Sequence, residues 1–443
     1  MKDESVFLSV DIGTSAMKAA LFSCTGELRG FAGERLVYGG TSGGGPGVRA
    51  AGPGERESFD AEEWVRAFGR LASALGSPRP CGITVSGHGP SLVPVGEDDR
   101  PCHDVLLWFD SRAKKLSGVR SFFLPKAAWL RDEAPRVYEK TRVFIPCSEY
   151  LGFRLTGERF ASSPSRDFSE FLWTDSSWEG AGLDHEKFPP LVFTGSEAGK
   201  TGSWAGELGI PPGIPVYAGG PDFLMTQLGT ACVRPARVCD RAGSSEGINA
   251  CSVSLVSSRK LRSLPHVIGG LWNAAAILPS TGLALEWMRE LAGKPLSWDE
   301  FFDAALGAEK TFTPSPEFFP PFEGGAVSFS EWFLGLRKEG RVWEECALTL
   351  LYAVCSQVQA GCAALEDAGL PVRELRVSGG QARSAAWNRF KAARTGKVFR
   401  VPEVADAELV GGLAAGLYGG GLYGSLSEAA EDLARFGAEF GPG

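Results

Sequence analysis

Two short segments combine the glycines and small hydroxyl side chains that phosphate chemistry requires. Asp11 ends an apolar run and is followed by Gly13-Thr14-Ser15, and a similar pattern returns at Gly243-Ser244-Ser245. Exposed backbone N–H groups and hydroxyls bind phosphate, whereas a buried carboxylate such as Asp11 should bind a cation or accept several hydrogen bonds. Each turn taken singly is also what a tight hairpin requires, so the pattern alone leaves both interpretations open.

Three further side chains could contact a substrate. Asp222 follows Gly219-Gly220-Pro221, where a ligand can approach the backbone closely, and its carboxylate could accept the proton of a hydroxyl. The alternative is that Asp222 caps a helix over residues 223–228. His88 could hydrogen-bond a polyol, although a satisfied core histidine is the more common case. Lys18 could reach a phosphate or lie solvated on its strand.

Two well-known sequence motifs occur in this chain, but the residues around them do not support the sites that those motifs normally form. Gly419-x-Gly421-x-x-Gly424 spells a dinucleotide fingerprint, but too few residues follow it for the second strand and carboxylate that such a site needs. The segment 243–247 spells a nucleophile elbow, but the only later histidine, His266, follows too closely for a serine hydrolase of that order. No G-x-x-x-x-G-K-[ST] sequence occurs, which excludes a P-loop by pattern.

Strands and helices must alternate to position these residues. We expect a hairpin over 6–10 and 17–22, strands over 82–85, 105–107, 237–242, 248–255 and 375–378, and helices over 60–75, 381–395 and 407–418. Polar groups follow several of these strands directly, as they do where open α/β sheets build their sites. The proline-rich segment 211–215 is the best linker candidate. The turn at 243–247 repeats the plan of the amino terminus, so a weak internal duplication is plausible.

Composition narrows the class of partner. The chain has 443 residues, 44% of them hydrophobic, and a formal charge of −8. An acidic chain without a basic tract argues against nucleic acid and anionic membranes and favours a small-molecule partner. Ten cysteines without a C-x-x-C pair, and no leader or spanning segment, suggest a reduced cytoplasmic protein. The length suggests two or three domains, and the glycine-rich segment 39–54 reads as a surface loop.

Five motifs, in this order along the chain, resemble those of the FGGY family of carbohydrate kinases within the actin and hexokinase superfamily. They are Asp11-Ile12-Gly13-Thr14-Ser15 with Lys18, Trp108-x-Asp110-x-Arg112, Gly219-Gly220-Pro221-Asp222, Gly243-Ser244-Ser245, and Val377-Ser378-Gly379-Gly380-Gln381-Ala382-Arg383-Ser384 with Trp387. The likeness extends over about residues 6–420. Five motifs in the same order point to one family much more specifically than any single motif does.

The resemblance implies an α/β fold of two ribonuclease-H-like, actin/hexokinase-type domains, each with a mixed sheet, and a cleft between them. Residues 1–217 would form the sugar-binding domain and residues 218–443 the nucleotide-binding domain. The implied cofactors are ATP and Mg²⁺, and the implied reaction is the ATP-dependent phosphorylation of a sugar hydroxyl. The oligomeric state stays open, with a homodimer as one option.

The resemblance also implies a role for individual residues. Asp222 would be the general base, and Asp11 would be a second catalytic residue that holds Mg²⁺ or its waters. The nucleotide would contact Thr14, Ser15, Lys18, Ser244, Ser245, Gly282, Glu286, Gly380 and Ser384, and the sugar would contact Gly87, His88, Asp110 and Asp222.

The expected substrate is a ketopentose such as D-xylulose, because His88 resembles the xylulokinase pattern rather than the Arg-Glu pair of glycerol kinase. Ribulose, glycerol, gluconate and erythritol remain alternatives. The sequence departs from the family at Ser86, Phe223, Glu246 and the segment 323–327. A carboxylate at Glu246 would repel a triphosphate unless Mg²⁺ or a turned-away rotamer compensates. These departures also permit a catalytically silent, nucleotide-binding member.

Overall fold

A computed structural model describes the chain over residues 5–36, 59–243, 246–278, 280–322 and 325–442. Within these residues the protein is an α/β fold with two mixed sheets, one built from residues 6–221 and the other from residues 238–440. The predicted loop 39–54, the residues Ser244 and Ser245, and Glu323-Gly324 lie outside the described residues.

The first half begins with an antiparallel arm because a tight turn, in which the Gly13 N–H donates to Ala16 O at 3.0 Å, reverses the chain. Its strands are β1 Val6–Ile12, β2 Ala16–Ser23, β3 Leu28–Arg35, β4 Ile83–Gly87, β5 Leu92–Val95, β6 Val143–Pro146, β7 Ala161–Ser163, β8 Leu191–Phe193, β9 Glu197–Lys200 and β10 Pro215–Pro221. Its helices are α1 Glu62–Ala74, α2 Leu124–Glu133, α3 Pro135–Lys140, α4 Cys147–Thr156, α5 Ser169–Leu172, α6 Asp175–Ala181 and α7 Asp222–Gly229. Short 3₁₀ turns occur at Arg166–Phe168, His185–Lys187 and Ser203–Leu208.

The second half contains the remaining elements. Its strands are β11 Val238–Ala242, β12 Glu246–Ser252, β13 Arg262–Pro265, β14 Trp272–Leu278, β15 Glu374–Ser378, β16 Val398–Pro402 and β17 Phe436–Phe440. Its helices are α8 Thr281–Glu290, α9 Trp298–Gly307, α10 Gly325–Lys338, α11 Trp343–Asp367, α12 Ala385–Thr395, α13 Ala407–Gly419 and α14 Leu426–Leu433, with 3₁₀ turns at Ala308–Lys310, Pro316–Phe318 and Gly380–Arg383.

The two large sheets share a plan. The first has the order β3-β2-β1-β4-β10-β9, in which β1 pairs antiparallel with β2 and parallel with β4. The second has the order β13-β14-β12-β11-β15-β16-β17, in which β11 pairs antiparallel with β12 and parallel with β15. Each sheet therefore joins an antiparallel arm to parallel strands, which agrees with the expected internal duplication.

Two helices connect the halves through a very close contact. A Cβ on Gly229 of α7 would lie 1.7 Å from Ala407 O, and a Cβ on Gly411 of α13 would lie 1.9 Å from Met225 O. Only glycine at both positions lets the two backbones approach so closely. Helix α13 also packs on β1, β4 and β10, so a helix late in the chain lies against the first sheet and fixes α7 beside it.

The core explains the long apolar helix. In the part of the chain that the structure describes, α11 is the one helix long and apolar enough to cross a membrane, and 72% of its most apolar window is buried. Its apolar side chains pack with those of α8, α9 and α12 in one cluster. It is therefore a core helix of the second half.

Most predicted elements agree with the structure to within a few residues. The predicted helix over 60–75 is α1, where Asp60 Oδ1 accepts the Glu62 N–H at 2.9 Å as a cap. The predicted strand over 105–107 is wrong, since this segment makes only an isolated bridge between Leu106 and Leu92. The predicted helix over 381–395 starts later, because a 3₁₀ turn precedes α12. The predicted domain boundary at 217/218 falls inside β10.

Candidate active site

Three parallel strands end at the same edge of the first sheet and bring the predicted acidic residues together. Strand register places Asp11 of β1 beside Ser86 of β4, and Gly87 of β4 lies beside both Ile12 and Pro221. Asp222 follows Pro221 directly and begins α7. The carboxyl ends of parallel strands are where open α/β sheets build their sites, and here Asp11 and Asp222 are close enough to interact electrostatically.

Asp11 is a buried carboxylate with too little positive charge around it. It is 2% exposed, and Ser86 Oγ donates to its Oδ1 at 2.9 Å. Burial raises the pKa of Asp11 well above its usual value, the carboxylates of Glu408 and Asp222 raise it further, and Lys18 opposes the shift. A bound cation would relieve this repulsion.

Lys18 bridges the two halves of the chain. Its Nζ lies 2.7 Å from Asp406 Oδ1 and 2.8 Å from Glu408 Oε1, both near the start of α13. Burial alone would lower the pKa of Lys18, but these carboxylates raise it above its usual value. Arg383 also pairs with Asp406, so an ionic network joins the first hairpin to the segment that precedes α12. In this structure the Lys18 ammonium is held by carboxylates.

Asp222 is both a helix-terminal residue and a candidate base. Its Oδ1 accepts the N–H of Phe223 at 2.6 Å, and its carbonyl oxygen accepts a hydrogen bond from Thr226 Oγ1 at 2.9 Å. The side chain is partly exposed, so its second oxygen can reach a ligand. The alternative that Asp222 caps the helix is wrong, because α7 begins at Asp222 itself, its N-cap residue is Pro221, and no side chain caps it.

His88 lies directly behind this edge and is neutral in its surroundings. It is 5% exposed, Ser91 Oγ lies 3.1 Å from its Nδ1, and Cys147 Sγ lies 3.7 Å from its Nε2. Burial lowers the pKa of His88, and the nearby Asp222 opposes that shift. Both ring nitrogens thus already face protein groups, and a sugar hydroxyl that binds His88 would have to share one of them.

The segment 108–112 forms a wall beside the first turn. Trp108 Nε1 donates to Thr14 Oγ1 at 3.2 Å, which connects this wall to the predicted phosphate turn. Arg112 binds Asp110 through two nitrogens, at 2.6 and 3.0 Å, and its guanidinium lies 4.3 Å from the ring centroid of Trp129. Asp110 is thus oriented by Arg112, which holds the pKa of that carboxyl below its usual value against the effect of burial.

Lys126 is a functional candidate that sequence reasoning missed. It is 4% exposed, and its Nζ donates to Leu107 O at 2.7 Å, directly before the wall formed by residues 108–112. Burial lowers the pKa of Lys126 to about 8. The only available signal was a lysine inside the apolar face of α2, which a single sequence does not distinguish from a solvated one.

The second predicted phosphate turn continues into a buried ionic cluster. Ser244 and Ser245 lie outside the described residues, but the adjoining Glu246 is fully buried. Lys391 Nζ lies 2.8 Å from Asp240 Oδ2 and 3.5 Å from Glu246 Oε1, and all three side chains are 0% exposed. We call Lys391, Asp240 and Glu246 the buried triad. The Glu246 side chain therefore contacts Lys391 within the core of the second half.

The triad is electrically balanced when one carboxyl is protonated. Burial first, and the neighbouring Asp240 second, raise the pKa of Glu246 to about 8 against the opposing effect of Lys391. When Glu246 is neutral, Lys391 and Asp240 form the ion pair, at 2.8 Å. The longer contact, between Lys391 and Glu246, is then that of a cation with a neutral carboxyl. Since Glu246 contacts Lys391 in the core and burial favours its neutral form, it adds little negative charge to the phosphate side.

The remaining predicted nucleotide residues lie in two segments of the second half, α8 and the turn before α12. Gly379 has φ +96° and its Cβ would lie 2.6 Å from Ala242 O, so the turn before α12 packs against the segment that leads to Gly243. Gly380 begins that turn, and Ser384 Oγ accepts the Trp387 N–H at 3.4 Å as the cap of α12. Gly282 and Glu286 lie on α8, and Glu286 Oε1 lies 3.3 Å from Arg35 of β3.

The residues fit a metal ion only in part. Within the described ranges, no group of three or more histidine, cysteine or carboxylate side chains could hold a metal. If a cation binds at this edge, Asp11 is therefore the single carboxylate that we assign as its ligand. That arrangement suits Mg²⁺, which keeps several waters and completes its shell with substrate phosphates. The raised pKa of Asp11 and its acidic neighbours are consistent with a cation at this position.

Comparison with known proteins identifies the family. The model of the FGGY family of carbohydrate kinases, N-terminal domain, matches residues 116–229, and that of the C-terminal domain matches residues 250–420. An autoinducer-2 kinase from Enterobacter sp. (strain 638) is 27% identical over 365 residues, which is 75% of this chain and 68% of that protein. An autoinducer-2 kinase from Salmonella paratyphi B is 26% identical over 348 residues, covering 72% of this chain and 65% of that protein. The chain thus spans about two thirds of the length of these relatives.

Solved structures agree on the fold. A xylulose kinase from Rhodospirillum rubrum superposes with a TM-score of 0.74 at 20% identity, covering 98% of this chain and 94% of that one. A Plasmodium falciparum glycerol kinase with ADP gives 0.74 at 14% identity, covering 99% and 94%. At these identities the likeness shows the fold alone, and it confirms the expected two-domain α/β architecture.

Proposed function

The chain belongs to the FGGY family of carbohydrate kinases, and on this premise we propose that it transfers the terminal phosphoryl group of ATP to a hydroxyl of a short sugar, with Asp222 as the general base. The observation that carries this proposal is the convergence of Asp11, His88 and Asp222 where β1, β4 and β10 end. Because the two family models together match more than half of the chain, carbohydrate kinase activity is the family-level function. The substrate and the roles of residues are our proposal.

Asp222 would act on the attacking hydroxyl. Its free carboxylate oxygen accepts the hydroxyl proton while the sugar oxygen forms a bond to the terminal phosphorus of ATP. The bond from that phosphorus to the bridging oxygen breaks, and ADP leaves with the electron pair. The Phe223 N–H, at 2.6 Å from the other oxygen, keeps the Asp222 side chain oriented. Phosphoryl transfer depends mainly on positioning and charge neutralisation, which this arrangement supplies.

Asp11 would contribute the metal contact. Mg²⁺, when bound, would neutralise charge on the phosphates. Asp11 would hold it or its waters, and Ser86 would orient the Asp11 carboxylate through its 2.9 Å hydrogen bond. Thr14 and Ser15 lie in the turn after Asp11, so their hydroxyls and backbone N–H groups are suited to the transferred phosphate. Lys18 would act through the carboxylates of α13 that it binds rather than on the phosphate directly.

The nucleotide would bind in the second half. Gly380 and Ser384 would line the adenosine pocket, and the packing of Gly379 on the segment that ends at Gly243 supports this assignment because it brings the two segments together. Gly282 and Glu286 of α8 would flank it, and Ser244 and Ser245 would contact the phosphates. The ion pair between Glu286 and Arg35 connects the proposed nucleotide side with the first half.

The sugar would contact Gly87, His88, Asp110 and Asp222. A ketopentose such as D-xylulose is our first candidate because His88, which resembles the xylulokinase pattern, lies with Gly87 and Pro221 beside the catalytic edge. The relatives named autoinducer-2 kinases supply a second candidate class, and ribulose, glycerol, gluconate and erythritol are further ones. We also propose a cytoplasmic location, and a homodimer is an open alternative to a monomer.

The test is ADP release across D- and L-xylulose, D- and L-ribulose, gluconate, erythritol, glycerol and autoinducer-2. We expect one class to exceed the others and Asp222→Asn to abolish its turnover while calorimetry still detects nucleotide binding. A rate unchanged in Asp222→Asn would refute the assigned base. Silence with every sugar, with ATP still bound, would favour the catalytically silent, nucleotide-binding alternative.

A further inference from the structure

Two cysteines lie side by side on the surface of the first half, away from the candidate active site. The Sγ atoms of Cys24 and Cys81 are 3.7 Å apart. Cys24 directly follows β2, and Cys81 lies two residues before β4. Both residues are at the end of the sheet where β1 begins, whereas Asp11 lies near the other end of β1, about 20 Å away. The pair therefore takes no direct part in the proposed phosphoryl transfer.

The strand register explains why these two cysteines meet. Strand β1 lies between β2 and β4. Val6 of β1 pairs with Ser23, the last residue of β2, and the carbonyl oxygen of Val6 accepts the Cys81 N–H at 2.8 Å. Cys24 and Cys81 are thus neighbours on either side of the start of β1. Because neither residue lies within a strand, both side chains can turn without breaking a hydrogen bond between strands.

The pair is accessible to a reagent in solution. All ten cysteines lie in the described part of the chain, and seven of them are buried. Cys81 is exposed and Cys24 is half-buried. Cys232 and Cys239 also interact with each other, but both are 0% exposed. Cys24 and Cys81 are therefore the neighbouring thiols that a dissolved oxidant can reach.

The surroundings of the two thiols determine the order in which they react. Burial first, and the neighbouring Cys24 second, raise the pKa of Cys81 to about 12. Because the thiolate is the form that attacks a disulfide, Cys81 is a poor first nucleophile, and we assign the first attack to Cys24. Once Cys24 is bound in a mixed disulfide it carries no charge, so one cause of the raised pKa of Cys81 is lost and Cys81 can attack in turn.

We propose that Cys24 and Cys81 are a redox modification site, at which a low-molecular-weight disulfide converts the two thiols reversibly into a disulfide that stabilises the first half. The Cys24 thiolate attacks one sulfur of the small disulfide, and one small thiolate leaves with the electron pair. The Cys81 thiolate then attacks Cys24 Sγ, the bond between the two protein sulfurs forms, and the second small thiolate leaves. The protein thiols are oxidised, the small disulfide is reduced, and the two thiol protons pass to the two released thiolates.

The proposed bond needs a small movement and closes a long loop. The sulfur atoms of a disulfide lie about 2.0 Å apart, so the two Sγ atoms must approach each other by about 1.7 Å. The bond would join residues 57 positions apart, and closing such a loop lowers the entropy of the unfolded chain. Oxidation should therefore stabilise the first half. A reversible bond is compatible with a reducing cytoplasm, where protein disulfides are transient.

The test treats the reduced full chain with glutathione disulfide and follows its intact mass and its peptide map. We expect the mass to fall by that of two hydrogen atoms, a cross-link between the Cys24 and Cys81 peptides, and recovery of both thiols with dithiothreitol. Thiols that stay reduced, glutathione adducts without a cross-link, or a cross-link between other cysteines would overturn the proposal. Since the assay contains neither ATP nor sugar, its result is independent of the proposed kinase function.

Three serine variants separate the roles of the thiols. Cys81→Ser lacks the second nucleophile, so a glutathione adduct on Cys24 should accumulate, whereas Cys24→Ser should form no cross-link. Cys102→Ser is the matched control, since Cys102 is also half-buried and its Sγ lies 3.4 Å from Thr141 Oγ1; it should oxidise as the unsubstituted chain does. A Cys24 that stays reduced in Cys81→Ser, or a cross-link that is lost in Cys102→Ser, would contradict the assignment.

Calorimetry of the oxidised and reduced chains tests the stabilising role. We expect the first half to melt roughly 5–10 °C higher after oxidation. Cys24→Ser, treated in the same way, should show no such shift. An equal or lower melting temperature in the cross-linked chain would refute the stabilising role.

Discussion

Replacing Lys391 with methionine should destabilise the second half strongly. Lys391 Nζ lies 2.8 Å from Asp240, and both side chains are 0% exposed. Removing one member of a buried pair costs about 3–5 kcal/mol because the other charge stays in the core without compensation, whereas an exposed pair contributes about 0–1 kcal/mol. For a domain of about 200 residues, 1 kcal/mol corresponds to about 2–4 °C. We therefore expect a fall in melting temperature of about 6–20 °C.

The measurement is differential scanning calorimetry of the full chain at pH 7. Lys397→Met is the matched control, since Lys397 pairs with Glu366, which is 42% exposed, and its loss should shift the melting temperature very little. The double variant Lys391→Met/Asp240→Asn should regain much of the loss because it removes the uncompensated carboxylate. A fall of less than about 3 °C in Lys391→Met, or no rescue by Asp240→Asn, would refute the assignment of the triad as a buried ion pair beside a neutral carboxyl.

Four further outcomes follow from the same geometry. The pKa of Glu246 is about 8 in the folded chain against an ordinary 4.5, so folding takes up a proton at pH values between these two. The free energy of unfolding therefore falls as the pH rises through this window. In Glu246→Gln, melting temperatures measured over a pH series should no longer show this fall. Asp222→Asn should lower kcat by about 10²–10⁴-fold with nucleotide affinity retained, and an unchanged kcat would exclude it as the base. Asp11→Asn should shift the Mg²⁺ dependence of the rate to higher concentrations, whereas an identical dependence would remove Asp11 from the metal site. Lys126→Met should raise the sugar KM severalfold more than kcat falls, because Leu107 O loses the Lys126 ammonium and keeps only the Asp110 N–H; an unchanged KM would refute this positioning role.

The edge that carries the site could be predicted from sequence because its signals are local. Asp11 and Asp222 each follow an apolar strand and stand beside glycines, and both signals depend on neighbours within a few residues. The strands expected over 6–10 and 82–85 are β1 and β4, which pair in parallel, whereas β10 was not among the predicted strands. The prediction of a strand over 105–107 was wrong because an apolar run alone does not distinguish a strand from a buried loop.

The partners of these residues could not be predicted because they lie far away along the chain. Lys18 was expected near a phosphate or in solvent, yet it binds Asp406 and Glu408, nearly 400 positions later. Lys391 pairs with Asp240 across 151 positions. An ion pair is decided by three-dimensional proximity and burial, and nothing in the local sequence specifies which distant carboxylate a lysine will meet. Charge networks are therefore the part of the site for which a structure was required.

Glu246 shows how such a partner changes a functional argument. Read from the sequence, a carboxylate beside the second phosphate turn would repel a triphosphate, and this departure permitted a catalytically silent protein. The structure buries the side chain against Lys391, and burial with Asp240 raises the pKa of Glu246 to about 8, which favours the neutral carboxyl. A buried Glu246 in its neutral form would add little repulsion to a bound triphosphate. The electrostatic reason for doubting catalysis is removed, while the acidic edge formed by Asp11 and Asp222 keeps the two carboxylates that phosphoryl transfer would use.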